Sequence, residues 1–316
     1  MALASGSRLL RLAFVGQGTF FEACSLDPGL RGFEPAFFEF RRDADAGALR
    51  DELEAFAADV AVVFRPEIVP AGALHGLRAR TVGFLTEPLP RRLSGAPVHE
   101  DLERRLWELR HVDPSNFDRV ISFDPHVAAT AHEVVPVWRS LPLPVADRYF
   151  APLPLPAPTA EGPRPLFVGR STPHREALLA EAKQQFDLLH LAFGVDADAL
   201  GEALRRHDVG INLHNNPYPS FENRVGLHLA AGHLVLSEWL HPTHGLEPNI
   251  DFVVVQTPGE LLNALVSLRR FPGLWHRVRV RGRRKAEQFR ASRVYPRLIH
   301  DLFADLNAFG SVRAAA

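Results

Sequence analysis

Short apolar runs alternate with helical patterns along the chain, and this alternation limits the fold more than any other feature of the sequence. In the first half, β-branched and aromatic runs predict strands at residues 9–15, 36–40, 60–64, 81–85, 119–123 and 137–141, with a helix at 46–56. Strands that are apolar throughout and separated by helices are typical of a parallel sheet covered on both faces. We therefore predict a doubly wound α/β domain over residues 1–145.

A proline-rich stretch then interrupts the alternation. In residues 151–158 every second residue is proline. Because proline fixes φ and removes a backbone donor, residues 146–164 are predicted to form a stiff, extended linker.

The alternation begins again after this linker and predicts a second doubly wound domain over residues 165–290. Its strands are predicted at 166–168, 188–193, 209–213, 234–237 and 252–255, and its helices at 175–185, 197–207, 224–231 and 259–270. A basic helix at 277–289 follows, and its cations are most simply a solvated face. An amphipathic helix at 295–306 lies in a closing segment, residues 291–316.

Composition excludes several classes of protein. One cysteine in 316 residues, Cys24, excludes an intramolecular disulfide framework and a cysteine-rich metal site. A formal net charge of −1 gives no general attraction to nucleic acid. The apolar runs are much shorter than the ~20 residues of a membrane-spanning helix, and the first residues read as a strand rather than a secretory signal. We expect a cytoplasmic protein with no nucleic-acid partner and no transmembrane segment; peripheral membrane contact and oligomeric state are left open.

Ligands of open parallel sheets bind beyond the carboxyl ends of the strands, so the loops that follow the strands are the candidate sites. The first such loop contains Gly16 and Gly18. With Glu39 at the end of the next strand it partly matches a dinucleotide fingerprint, but Phe21 stands where the third glycine belongs. Three interpretations stay open: a nicotinamide nucleotide site, a tight strand-to-helix turn, and a loop that lines a cleft.

The second candidate loop follows the first strand of the second domain. Gly169 allows a turn, a capped helix begins nearby, and Arg170 and Arg175 add positive charge, a set that suits a diphosphate. The alternative is an ordinary capped helix with solvated arginines.

The third candidate loop is the most function-like segment, because its prolines already provide the turn and its polar side chains exceed what a turn needs. These side chains are Asn212, His214, Ser220, Glu222, Asn223 and Arg224.

The fourth loop, residues 239–248, carries two histidines in a proline-containing segment. His241 and His244 could ligate zinc, although no third ligand is near in sequence. Alternatively, the loop around His244 and Gly245 exposes backbone N–H groups to a sugar or a phosphate. The sequence has neither a P-loop nor a Gly-x-Ser-x-Gly elbow.

Three segments in combination resemble the donor-side half of GT-B glycosyltransferases. They are residues 224–237, Gly245-Leu246-Glu247-Pro248 and residues 251–261. The likeness is greatest to the CgeB-like group of family-1-type glycosyltransferases. It covers roughly residues 165–306 and is architectural only over the first 140 residues.

The resemblance implies two Rossmann-like, doubly wound parallel-sheet domains facing a cleft, with the last helix crossing back to the first domain. It implies a nucleoside-diphosphate sugar as co-substrate, an unidentified acceptor, retention of configuration, and neither cofactor nor metal. The diphosphate would lie near Gly169, Arg170 and Arg175 and at the helix N-terminus after Asn223. Arginines and helix dipoles would stabilise the leaving group electrostatically.

The sequence departs from the family at one important position. In the pattern Arg-x-Phe-Glu-x-x-Ala-x-Gly, the family's Glu usually contacts the nucleotide ribose, and Leu227 stands at that place here. Either Glu222 or His228 substitutes for it, the donor is unusual, or the protein is a non-catalytic nucleotide-sugar or glycan binding protein.

Two acids that follow strands of the first domain are the catalytic candidates on the acceptor side. Glu87 lies in Thr86-Glu87-Pro88, and Asp124 lies in Phe123-Asp124-Pro125. Acids that precede proline are also common turn residues, so this alternative stays open for both.

Overall fold

The computed structural model describes residues 8–91, 100–157, 161–192, 195–311 and 313. Its contacts divide the chain into two compact units, one of Met1–Leu143 with Ala291–Ala316 and one of Pro144–Arg290. Each unit is built on its own parallel sheet.

The first unit contains a six-stranded sheet in the order β2-β1-β3-β4-β5-β6, parallel throughout. The strands are β1 (Leu10–Gly16), β2 (Phe33–Glu39), β3 (Val60–Phe64), β4 (Arg80–Leu85), β5 (Arg119–Ser122) and β6 (Val137–Ser140). The helices of this part are α1 (Gly18–Phe21), α2 (Ala46–Ala55), α3 (Glu100–Leu109) and α4 (Ala128–His132). In β1, Ala13 and Val15 enter one core and Leu12 and Phe14 the opposite one, so the strand must be apolar along its whole length.

The second unit contains a five-stranded sheet in the order β11-β10-β9-β7-β8, again parallel. Its strands are β7 (Pro165–Val168), β8 (Leu189–Leu191), β9 (Val209–Asn212), β10 (Leu234–Ser237) and β11 (Val253–Val254). Its helices are α5 (Pro173–Gln185), α6 (Ala197–Arg206), α7 (Asn223–Ala230), α8 (Pro258–Arg270) and α9 (His276–Lys285). One core lies between the sheet and helices α5 and α8, with Phe167, Ile211, Leu179 and Leu265 fully buried.

The last helix, α10 (Ala291–Phe309), belongs to the first unit. Its buried Tyr295 packs edge-on against Phe14 with the ring centroids 4.7 Å apart. The Tyr295 hydroxyl donates a hydrogen bond of 2.5 Å to the carbonyl of Cys24. Leu298 and Leu302 extend the same core, so α10 covers one face of the first sheet.

Several elements differ from the sequence-based boundaries. Residues 252–255 contribute only the two-residue strand β11, and the last residue of the strand predicted at 188–193 lies outside the described residues. Helix α10 begins four residues earlier than predicted and contains Pro296 inside it. The helix predicted at 277–289 ends at Lys285 and continues as a 3-10 turn, Ala286–Phe289.

The basic helix α9 is not simply a solvated face. Arg283 is 3% exposed and donates to the carbonyl of Ala151 and to Glu287. Arg279 donates to the carbonyl of Gly232. Such arginines fasten the helix to its own unit through backbone carbonyls, which sequence charge alone does not show.

The segment predicted as a proline-rich linker packs on the second unit. Tyr149 and Leu155 are buried, and a Cβ added at Gly232 would lie 2.6 Å from Leu155 Cδ2. Over the described part of the chain, no helix is both long enough and apolar enough to cross a bilayer.

Candidate functional site

Polar side chains gather at the carboxyl edge of the second sheet, where β7, β9 and β10 end. The loops after these strands bring together residues that are far apart in sequence: Gly169, Arg175, His214, Ser220, Glu222 and Arg224. In an open parallel sheet this edge is where ligands bind.

Arg175, in the first turn of α5, is 1% exposed and holds two loops together. Its Nε donates to the carbonyls of Leu213 at 3.0 Å and His214 at 3.1 Å, and its Nη1 donates to the carbonyl of Arg170 at 3.0 Å. Its Nη2 is buried and makes no hydrogen bond. Thus Arg175 fixes the loops with two nitrogens and retains one nitrogen, Nη2, whose N–H groups have no acceptor in the described part of the chain.

Arg224, in the first turn of α7, lies beside it. Its Nη1 donates to Asn212 Oδ1 and to the carbonyl of Leu213, both at 3.0 Å. The guanidinium carbons of Arg175 and Arg224 lie 5.3 Å and 5.4 Å from the ring centroid of Phe167, within the range of cation–π contacts.

Two buried cations side by side are electrostatically costly. Burial, followed by the charge of Arg224, lowers the pKa of Arg175 to about 9. Burial also lowers the pKa of Arg224. An anion that reaches both guanidiniums would relieve this cost.

Gly169, at the end of β7, leaves room for the pair. Its φ is +150°, and an added Cβ would lie 2.9 Å from Arg224 Nη2 and 3.4 Å from Arg175 Nη1. A side chain here would be strained and would collide with the Arg224 guanidinium, so the position needs glycine.

Glu222 precedes α7 and faces the two guanidiniums. Its Oε2 lies 3.5 Å from Arg224 Nη2, and its Oε1 lies 4.0 Å from Arg175 Nη2. Ser220 Oγ donates to Glu222 Oε1 at 3.1 Å and lies 3.3 Å from His214 Nδ1. The Glu222 side chain does not cap α7, whose first turn contains no acid.

His214 is a structural member of this network. Its Nε2 lies 2.9 Å from the carbonyl of Trp239, so Nε2 carries the hydrogen and Nδ1 is an acceptor. Burial lowers the pKa of His214, which keeps the ring neutral near pH 7.

Sequence reasoning missed Glu238, directly after β10. Its Oε2 accepts the backbone N–H of His214 at 2.7 Å, and its Oε1 lies 2.8 Å from His174 Nε2. An acid directly after a strand was the available signal, and the same rule had singled out Glu87 and Asp124.

The remaining candidates of the second unit lie on the neighbouring loops. Arg170 is exposed, and among the described residues its side chain has one long contact, Nε to Asn215 Oδ1 at 3.4 Å. His244 packs edge-on against Phe221 with the ring centroids 4.7 Å apart. The Gly245 carbonyl accepts from Lys285 Nζ at 3.0 Å.

Asn223 is the first residue of α7, and two other residues of this helix bear on the missing ribose contact. His228 is fully buried, and its Nδ1 lies 3.0 Å from Nδ1 of the buried His233. A Cβ added at Gly210 would meet the His228 ring at 2.3 Å. His228 is thus enclosed in the interior and cannot replace a ribose-binding carboxylate at Leu227, itself 6% exposed.

In the first unit, the glycine loop after β1 is bonded internally. The Gly18 N–H donates to Glu39 Oε2 at 2.7 Å. A Cβ added at Gly16 would lie 3.2 Å from Phe64 and 3.3 Å from Phe21. Glu39 and the N–H of Gly18 therefore satisfy each other, and α1 is only four residues long. These observations favour the tight-turn interpretation of the loop.

Glu87, after β4, belongs to a charged cluster. Its Oε2 lies 2.6 Å from Arg105 Nη1, and its Oε1 lies 3.8 Å from Arg65 Nε. The side chain is 32% exposed, so a ligand can reach it. Nearby Glu67 has a pKa raised by its burial.

Asp124, after β5, is enclosed. Its side chain is 1% exposed, with Oδ2 3.1 Å from Arg91 Nη2. Its Oδ1 accepts the backbone N–H of His126 at 2.8 Å. This is the geometry of an acid that orders its own loop.

The zinc alternative at His241 and His244 gains no support. Among the described residues, no group of three His, Cys, Asp or Glu side chains is arranged to hold a metal ion.

Comparison with solved structures identifies the fold of the chain, whereas comparison of sequences identifies no family. No family model and no curated protein sequence matches the chain. Its structure is similar to HepE from Anabaena, solved with UDP and glucose (TM-score 0.59, 10% identity, covering 93% of this chain and 100% of that chain). It is also similar to sucrose-phosphate synthase from Thermosynechococcus elongatus (TM-score 0.61, 14% identity, covering 94% and 100%).

A third similar structure is an isomerase. UDP-GlcNAc 2-epimerase from Neisseria meningitidis, bound to UDP-GlcNAc, has a TM-score of 0.52 and 9% identity, covering 93% of this chain and 99% of that chain. At such identities the likeness concerns the fold alone, and one fold hosts more than one reaction. The predicted class, two doubly wound parallel-sheet units, is confirmed, and the chain has the GT-B fold.

Proposed function

We propose that this protein is a metal-independent, retaining glycosyltransferase that uses a nucleoside-diphosphate sugar as donor. The observation that carries the proposal is the buried pair Arg175 and Arg224 at the carboxyl edge of the second sheet. Arg175 Nη2 has no hydrogen-bond partner among the described residues. Glu222 lies 3.5 Å from Arg224 Nη2 and 4.0 Å from Arg175 Nη2, and the charge of Glu238 also acts on both arginines. Such a pair suits a diphosphate, which carries two adjacent anionic groups.

The loop architecture supports the same ligand. Arg170 is exposed beside the pair, and the N-cap residue of α7, Glu222, does not cap the helix with its side chain. Backbone N–H groups at a helix N-terminus favour phosphate. The likeness to HepE solved with UDP-glucose also supports a nucleoside-diphosphate sugar.

The chemistry follows from charge. The acceptor's hydroxyl oxygen bonds to the anomeric carbon as the bond between that carbon and the phosphate oxygen breaks, and the electron pair of the broken bond stays on the leaving diphosphate. Arg175, Arg224 and Arg170 would stabilise this developing charge without a metal. Retention, like the relationship to the CgeB-like group, rests on the sequence resemblance.

On the acceptor side, we assign Glu87 rather than Asp124 to the acceptor hydroxyl. Glu87 is 32% exposed, whereas Asp124 is 1% exposed and already bonded to Arg91 and to the backbone of His126. A base must come within hydrogen-bond reach of the proton that it removes.

One observation favours a second candidate function, a non-catalytic nucleotide-sugar binding protein. Leu227 stands where the family's ribose-binding Glu is expected, and a leucine accepts no hydrogen bond from a hydroxyl group. The loss of that contact would weaken donor binding and could accompany the loss of activity.

Binding and turnover separate these functions. Wild-type protein is titrated with UDP, GDP, ADP and the free nucleosides, and then incubated with the matching sugar donors and a panel of sugar, lipid and peptide acceptors. We expect binding of one nucleoside diphosphate and release of that diphosphate from its sugar donor. Binding without release for any acceptor would favour the second candidate, and no binding would exclude both.

The exposed Arg170 gives the matched test of the phosphate site. Arg170→Ala should weaken the binding of the nucleoside diphosphate and leave that of the nucleoside unchanged, because only the diphosphate carries the complementary charge. Arg206→Ala is the control, since Arg206 is an exposed arginine of α6 in the same unit. Equal losses for both ligands would place the diphosphate elsewhere.

A further inference from the structure

Among the described carboxylates, Glu222 lies within 4.0 Å of both buried guanidiniums, and the charge of Glu238 also acts on both. Glu222 lies 3.5 Å from Arg224 Nη2 and 4.0 Å from Arg175 Nη2. Both distances exceed those of charge-assisted hydrogen bonds, which are about 2.7–2.9 Å. The carboxylate is thus near enough to lower the energy of the pair, while Arg175 Nη2 makes no hydrogen bond within the described part of the chain.

Glu222 is the most exposed of these three charged side chains. Its side chain is 21% exposed, whereas those of Arg175 and Arg224 are 2% and 9% exposed. The guanidiniums are fixed by the carbonyls of Leu213 and His214 and by Asn212. A ligand that competes for the pair would therefore displace the carboxylate and leave the arginines in place.

We propose that Glu222 is an internal counter-anion, which faces the Arg175–Arg224 pair in the ligand-free protein and gives way to a diphosphate. This inference rests on the proposed function for the identity of the ligand. Glu222 would then act as a specificity-determining residue. A monoanion would only replace one negative charge by another, whereas a diphosphate brings more charge and more acceptor oxygens than the carboxylate that it displaces.

This role and a ribose contact predict opposite effects on ligand affinity when the carboxylate is removed. A carboxylate that accepts hydrogen bonds from ribose hydroxyls strengthens nucleoside binding, and its removal weakens it. A carboxylate that competes with phosphate weakens diphosphate binding, and its removal strengthens it. Glu222→Gln separates the two roles, because it keeps the shape and removes the charge.

The experiment is a calorimetric titration of wild type and Glu222→Gln with inorganic diphosphate, inorganic phosphate, UDP and uridine. For Glu222→Gln we expect inorganic diphosphate to bind at least about tenfold more tightly, because a unit charge some 4 Å from two partly desolvated cations acts strongly. Uridine affinity should not change, and the preference for diphosphate over phosphate should fall.

Two further variants complete the test. Glu202→Gln changes the net charge equally on the exposed side of α6, where Glu202 pairs with Arg205 and Arg206, and should leave all affinities unchanged. Glu222→Asp retracts the charge by one methylene and should tighten diphosphate binding by less than Glu222→Gln does. If Glu222→Gln does not fold, the diphosphate affinity of Glu222→Asp tests the proposal in its place.

The outcomes separate this inference from the proposed function. If the wild type binds UDP or another nucleoside diphosphate, but Glu222→Gln or Glu222→Asp binds diphosphate no more tightly, Glu222 is not a counter-anion and the proposed function stands. If inorganic diphosphate binds more tightly to Glu222→Gln while neither protein binds any nucleoside diphosphate, the counter-anion role stands and the proposed function fails. Weaker uridine binding by Glu222→Gln would assign Glu222 to the ribose and overturn the inference.

Discussion

Gly169→Ala tests whether the arginine pair depends on the turn at the end of β7. The added Cβ would lie 2.9 Å from Arg224 Nη2, and ordinary contact needs about 3.4–3.5 Å, so the guanidinium must shift by roughly 0.5 Å. Arg224 Nη1 is held at 3.0 Å by both Asn212 and Leu213, so the shift strains two hydrogen bonds. The backbone at φ +150° is itself unfavourable for alanine.

The magnitude follows from these two costs. Backbone strain of this kind costs ~1–3 kcal/mol, and overpacking a buried site costs ~1–3 kcal/mol. We expect Gly169→Ala to lower the free energy of unfolding of the second unit by about 2–6 kcal/mol. Nucleoside-diphosphate affinity should fall about tenfold, which corresponds to ~1.4 kcal/mol.

Hydrogen exchange read by mass spectrometry localises the loss of stability, since peptides from β9 and α7 report on the second unit and peptides from β1 report on the first unit. Titration calorimetry measures the loss of nucleoside-diphosphate affinity. Gly259→Ala is the control, because Gly259 lies in the first turn of α8 with nothing within 4 Å of an added Cβ. Unchanged exchange in α7 together with unchanged affinity in Gly169→Ala would refute the close packing of Arg224 on this turn.

Three other outcomes are expected. Gly210→Ala should destabilise the second unit more than Gly169→Ala, because its Cβ would lie 2.3 Å from the enclosed His228 ring; a melting temperature like that of the wild type would contradict this packing. Burial lowers the pKa of His233 to about 4, so the unfolded state binds the proton more tightly, and stability should fall as the pH drops from about 6.5 towards 4. Urea unfolding at pH 7 and 4.5 measures this fall, which His233→Gln should reduce; an equal fall in both proteins would assign it to other groups. Sugar transfer should survive EDTA, and complete loss restored by Mn²⁺ or Mg²⁺ would overturn the leaving-group mechanism.

The fold class could be predicted from the sequence because each parallel strand carries its own signal. Val60–Phe64 is apolar at every position, and the structure buries all five residues. A strand covered on both faces has no polar alternation, so composition and length are sufficient to identify it. The predicted length of strand β11 was too great, because only two residues of its apolar run, Val253 and Val254, pair with β10.

The candidate site could be predicted only as a set of loops. The sequence shows that polar residues follow β7 and β9. It does not show which groups each arginine side chain contacts. Arg170 and Arg175 read alike in the sequence, yet one is exposed and the other bonds to three backbone carbonyls. Which carbonyl an arginine reaches depends on the register of strands that are tens of residues apart.

The contact between Glu222 and Arg175 joins residues 47 positions apart, and no local pattern marks it. Likewise, the basic run in α9 suggested solvated charge, whereas Arg283 is buried against the carbonyl of Ala151. Long side chains that satisfy distant backbone groups are the part of the structure that sequence patterns describe least well.

The central claim is that a nucleoside diphosphate binds at the carboxyl edge of the second sheet, on the buried arginine pair. The most direct measurement is amide hydrogen exchange of the whole protein with and without a saturating nucleoside diphosphate, resolved by peptide. We predict slower exchange in the loop from Gly169 to Arg175 and in residues 213–224, with uridine alone producing less of the effect in the first of these segments. Trp275 and His276 line a pocket with Val209 and Leu234, the first residues of β9 and β10, at the opposite edge of the same sheet. Protection confined to that pocket, or to the first unit alone, would contradict the claim.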